Sequence, residues 1–183
     1  MKNSSVIPPL RIVFVMWLTY TIETYLGVDF GFLGILPMTL KGTVGIFTAP
    51  LIHGNLTHLI SNTAPLLFLG AAVYFFYNKI ASRVFLQCYF FTNILVWFFG
   101  RQFYHVGASG LIYGLAFFLI SFGIFRRDLR SIMISLVIII FYGGLIYGLS
   151  PANANISWES HLFGAIVGLS TAFTLRNSRQ VES

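Results

Sequence analysis

Six apolar runs divide this chain, each close to the roughly 20 residues a helix needs to cross a bilayer. They cover about 11–30, 58–78, 84–101, 108–125, 131–150 and 158–175. Inside lipid, backbone N–H and C=O groups have no water to bond, so such runs must fold as helices. Only 9% of the 183 residues are charged and 57% are hydrophobic, with 20 Phe. An ordinary soluble domain is about a quarter charged. The class implied is an all-α membrane protein, with residues 1–183 forming a single membrane domain.

The cations between the runs set an orientation. Lys2, Arg11, Lys79, Arg83, Arg126, Arg127, Arg130, Arg176 and Arg179 fall on one side, and Lys41 and Arg101 on the other. The positive-inside rule then places both termini in the cytoplasm, which requires an even number of spans. The net charge of +6 is explained by this topology, so no nucleic-acid partner is expected. Lys2 and Arg11 precede a long apolar stretch with no small-residue cleavage site, which reads as a retained first span. Nothing resembles an organelle transit peptide, so the default location is a bacterial plasma (inner) membrane. Cys88 is the single cysteine and no Cys/His cluster has zinc spacing, so neither an intrachain disulfide nor a metal is expected.

The connection 31–57 is the long one. It is too apolar to float in water and too broken by Gly and Pro to span, so it is expected to be partly helical and to lie in the outer leaflet's interface.

Polar groups inside spans are costly and usually functional. Ser109 lies 17 residues before Arg126 and Asn62 lies 17 before Lys79, each about 25 Å from the inner edge. His161 lies 15 residues before Arg176, about 23 Å. His58 stands one turn above Asn62. Three spans thus bring polar groups to one level, a few ångströms below the outer surface. Gly110 and Gly114 follow Ser109, and Gly164 and Gly168 follow His161 on its own face. These small-xxx-small patterns let two helix backbones touch. Tyr113, one turn below Ser109, is placed to hold an imidazole.

A serine hydroxyl becomes a nucleophile when a base takes its proton. Neutral His161 suits that role and the later protonation of a leaving amine. The Ser109 N–H, at a helix start, and the side chains of Asn62 and His58 suit the developing oxyanion. None of the five acids completes a triad. Glu159, at i−2, faces away from His161 on a helix, so a Ser–His dyad is expected.

These residues carry a resemblance. His53-Gly-Asn-Leu-Thr-His58-Leu-Ile-Ser-Asn62 enters span two, Gly107-Ala-Ser109-Gly110 opens span four with Tyr113 after it, and Ser160-His161-Leu-Phe-Gly164 opens span six. In order and spacing the chain resembles a rhomboid intramembrane serine protease of the minimal six-span type. The resemblance implies a six-helix bundle whose outer segment 31–57 is a membrane-embedded loop. It implies Ser109 as nucleophile, His161 as base, and His58 and Asn62 as oxyanion partners, with Gly107, Gly110, Tyr113, Gly164 and Gly168 in support. The implied substrates are transmembrane segments of other membrane proteins, cut without cofactor, with span five bordering their entry. One departure stands out: many family members carry Trp-Arg in the outer loop where this chain has Val44-Gly45.

The remaining polar residues read as structural. His53 is expected in a loop, Asn93 in an interhelical hydrogen bond, Glu23 as a satisfied group near the outer end of span one, and His105 on an exposed rim. Pro65 suggests a kink in span two. Tyr20, Tyr25, Tyr74, Tyr77 and Trp158 suit interfacial belts. A soluble-type hydrolase is excluded, because the nucleophile elbow needs Gly where Leu111 stands. A transporter or channel is the rival class, although the lower halves of spans four to six are nearly all apolar. A catalytically silent relative is the third, although both dyad residues are kept.

Overall fold

A computed structural model describes residues 6–151 and 156–178. Lys2 near one end, and Arg179 and Glu182 near the other, lie outside the described residues. The six apolar runs become six long helices: α1 (Ile7–Leu26), α2 (Leu56–Phe76), α3 (Asn78–Phe99), α4 (Ser109–Arg126), α5 (Leu129–Tyr142) and α6 (Trp158–Leu175). Three of these, α2, α3 and α4, are long and apolar enough to cross a membrane, as is α5 together with its extension through Leu149. The other two, α1 and α6, are 20 and 18 residues long.

Local chemistry sets the boundaries. The first helix starts earlier than the hydropathy suggests, because prolines occupy its first turn, where a missing N–H costs nothing. It stops at Gly27, whose φ of 65° ends the helix in a left-handed cap. Asn55 caps α2 by accepting the His58 N–H at 2.8 Å, and Asp128 caps α5 by accepting the Ser131 N–H at 3.0 Å. The fifth run is α-helical only to Tyr142. At Gly143-Gly144 it tightens into a 3₁₀ helix, Gly143–Leu149.

Helix α4 is the centre of the bundle. Leu115, Ala116, Phe118, Leu119 and Phe122 along it are fully buried. The sixth helix makes its most extensive packing here, and α2, α3 and α5 close the other sides. Tyr77 belongs to this core and not to an interfacial belt. It is 3% exposed, with its ring edge-on to Phe118 and Phe122 at 6.0 and 4.9 Å. The α2–α3 junction carries it inward.

The 31–57 segment is partly helical, as expected, with short turns at Phe30–Leu33, Lys41–Thr43, Gly45–Thr48 and Ala49–Leu51. One stripe of α3 holds it. Tyr89 Oη donates to the Phe47 carbonyl (2.6 Å), Asn93 Nδ2 to that of Ile46 (3.0 Å) and Trp97 Nε1 to that of Thr39 (3.0 Å). Asn93 therefore ties a span to this loop and not to another span. The Val44-Gly45 departure also finds its place. A Cβ on Gly45 would collide with the Gly34–Ile35 backbone, and one on Gly42 with that of Leu36. Here the loop folds back on itself by main-chain contact.

Candidate active site

Two glycine pairs bring α4 and α6 together. A Cβ on Gly164 would strike the Gly110 carbonyl oxygen, and one on Gly168 would strike that of Gly114. Gly110 in turn faces Thr92, whose Cγ2 would stand 2.9 Å from an added Cβ. The backbones touch, as the small-xxx-small spacing predicts.

This crossing carries Ser109 and His161 to one cavity of about 600 Å³, which His58, Asn62 and Tyr113 also line. Ser109 is the first residue of α4, where main-chain N–H groups lack intrahelical partners. The His161 side chain, on a residue 8% exposed, is fixed from two directions. The Tyr113 ring lies flat on the imidazole, 4.1 Å between centroids and 3° between planes. The His161 Nδ1–H donates to the Gly148 carbonyl oxygen at 2.9 Å. A carbonyl only accepts, so in the neutral imidazole Nδ1 carries the proton and Nε2 is the basic nitrogen. Tyr113 Oη donates to the Leu145 carbonyl at 2.9 Å. Gly148 and Leu145 are the part of the site that side-chain patterns do not reveal.

Across the cavity, Asn62 Nδ2 donates one hydrogen to the His58 carbonyl at 2.7 Å. An amide NH₂ has a second hydrogen, which remains for another acceptor. Gly107 sits against the His58 ring. Its φ is +105°, and an added Cβ would stand 2.6 Å from His58 Nε2. No L side chain fits this conformation comfortably.

His105 is not an exposed rim residue. It is 1% exposed, and its main chain pairs with Ile35 in both directions at 2.9 Å. Its ring joins Ser157 Oγ (2.6 Å) and the Arg101 carbonyl (3.0 Å). Ser157 Oγ continues to Ser160 Oγ at 2.6 Å. Both ring nitrogens are occupied, which rules it out as the rival base. Glu159 pairs with Arg101, whose Nη2 also donates to the Ile156 carbonyl at 3.0 Å. It faces this network and leaves His161 without a carboxylate partner.

His53 is buried in the loop, 1% exposed, its ring 5.0 Å from that of His58. Burial, with the neighbouring His58, pushes its pKa down to about 3. The Leu51 carbonyl offsets little of this, since neither ring nitrogen reaches hydrogen-bonding geometry. The folded state thus favours neutral His53, and its contribution is complete above the ordinary value of 6.5. It is lost as pH falls from there toward 3, at up to about 1.4 kcal/mol per pH unit. His53→Leu is therefore expected to flatten the fall of melting temperature between about pH 6 and pH 4. An unchanged acid slope counts against this account.

The family model described as Rhomboid domain matches residues 40–178. An uncharacterized protein of Mycobacterium tuberculosis is 33% identical over 183 residues, covering 91% of this chain and 73% of the relative. A counterpart from Mycobacterium bovis matches to the same extent. One from Mycobacterium leprae is 35% identical over 148 residues, covering 72% of this chain and 55% of the relative. The match to residues 40–178, with the apolar helices, makes this an integral membrane protein. The chain belongs to the rhomboid family of intramembrane serine proteases.

Proposed function

We propose that this protein is an active endopeptidase that cuts transmembrane segments of other membrane proteins with a Ser109–His161 dyad. The observation that carries the reading is the fixed imidazole. With Nδ1 bound to Gly148 and the ring stacked on Tyr113, Nε2 is left as the base in the cavity that Ser109 lines. His161 takes the Ser109 proton as Oγ attacks the scissile carbonyl, then gives it to the departing amine. Water enters the same cycle to release the acyl group. The Ser109 N–H at the helix start, the spare Asn62 hydrogen and His58 stand ready for the oxyanion.

The cavity favours this over transport. Its floor is Pro65, Ile112 and Tyr113. Beneath lie the buried Leu66, Leu69, Leu115, Phe118 and Leu119, an apolar layer under the cavity. The cations at the opposite end of the bundle from the cavity support an orientation with both termini in the cytoplasm and the site toward the outer face. The mycobacterial relatives fit a bacterial inner membrane.

Fluorophosphonate labelling of the purified full chain tests the reading, with Ser109→Ala beside it. Labelling of the wild type alone is expected. A folded wild type that stays unlabelled sinks it. Asn62→Ala is expected to lower turnover on a reconstituted membrane substrate by about 10²-fold, the scale for one oxyanion donor. Unchanged turnover removes Asn62 from the oxyanion site.

A further inference from the structure

Two main-chain oxygens of one short segment hold both rings of the site. Gly143–Leu149 leaves α5 as a 3₁₀ helix; its Leu145 carbonyl accepts the Tyr113 hydroxyl, and its Gly148 carbonyl accepts His161 Nδ1–H, both at 2.9 Å. Near the end of such a helix the last carbonyls have no helical N–H to receive, so the Gly148 oxygen is free for the imidazole.

Gly148 is glycine for space, not for backbone conformation, since its φ is not in the left-handed region. A Cβ there would run into Tyr113 Oη and stand 3.2 Å from Tyr113 Cζ and 3.3 Å from His161 Nδ1. Gly144, in the same segment, is the contrast: a Cβ there meets nothing within 4 Å.

We propose that the main chain at Leu145 and Gly148 is the positioning element of the dyad. Its Gly148 carbonyl fixes His161 as the Nδ1–H tautomer, taking the orienting part that a carboxylate takes in a triad, and its missing side chain lets Tyr113 lie flat on the imidazole. The proposal rests on the serine-protease reading for its consequence in catalysis, but not for the tautomer itself. A neutral carbonyl orients the ring without adding a charge, so the site needs no third acid.

Imidazole ¹⁵N NMR of the full chain in nanodiscs at alkaline pH reads the tautomer without relying on activity. The chain has 4 histidines, and the His161 signal is the one that vanishes in His161→Gln. The wild type is expected to show Nδ1–H. In Gly148→Ala that signal is expected to move toward Nε2–H. Fluorophosphonate labelling should fall by about 10²-fold or more, the lower end of what a general base supplies. Gly144→Ala should keep both, and adding Tyr113→Phe to Gly148→Ala should recover part of the labelling by removing the oxygen in the way. A wild-type His161 protonated on Nε2, or a Gly148→Ala that labels at the wild-type rate, overturns the proposal. Should Gly148→Ala fail to fold, the wild-type tautomer still decides. A wild type that shows Nδ1–H but never labels upholds the positioning and sinks the protease reading instead.

Discussion

Ser109→Ala removes proteolysis while leaving the bundle's thermal stability close to that of the wild type. Ser109 is half-buried at the lip of the cavity, and the lost hydroxyl leaves no large void. In a soluble serine protease, loss of the nucleophile costs about 10⁶-fold in turnover, and a similar fall here takes cleavage below detection. His161→Ala should cost about as much. The double variant should be no worse than either, because nucleophile and base act as one unit. Purified variants in liposomes with a model transmembrane substrate supply the measurement. Residual cleavage by Ser109→Ala at more than about a hundredth of the wild-type rate would falsify the dyad, since positioning and oxyanion binding alone retain far less.

Much of this site was legible because the bilayer imposes depth. Counting residues from the cytoplasmic cations put Ser109, His161 and Asn62 at one level, and they line one cavity. The glycine spacing was legible for the same reason: in lipid, close helix contact needs small residues at fixed intervals. What stayed hidden was whatever depends on the main chain or on a loop's path. The Gly148 carbonyl has no side-chain signature, so the group that orients His161 in a dyad without a third acid cannot be read from the sequence. His105 looked exposed because it lies outside the apolar runs. It is buried by the antiparallel pairing of its loop with Ile35, a contact between segments far apart in sequence. Val44-Gly45 could be noticed as a departure, but its meaning required the Gly34–Ile35 backbone lying against it.

Gly164→Val should do the opposite of Ser109→Ala, costing stability first and activity as a consequence. The obstacle to a Cβ at this position is the Gly110 carbonyl oxygen, with Tyr113 Cβ 3.1 Å away on the other side. A flexible side chain would swing aside, but a carbonyl inside a helix can move only with the whole helix. Helices α4 and α6 must therefore separate along the seam where they now touch, and the buried contacts beside it loosen together. Overpacking a tight core costs about 1–3 kcal/mol, and this site belongs at the upper end because neither backbone can yield. The separation opens between Ser109 and His161 themselves, since Gly110 follows the serine and Gly164 lies one turn after the histidine. Labelling should then fall even in the fraction that stays folded. Ile166→Val, exposed on the opposite side of the same helix, is the matched control and should change neither property. Thermal melting and fluorophosphonate labelling on the same samples separate the two effects. A Gly164→Val protein with wild-type melting temperature and wild-type labelling would mean that the α4–α6 seam is not what brings the two residues together.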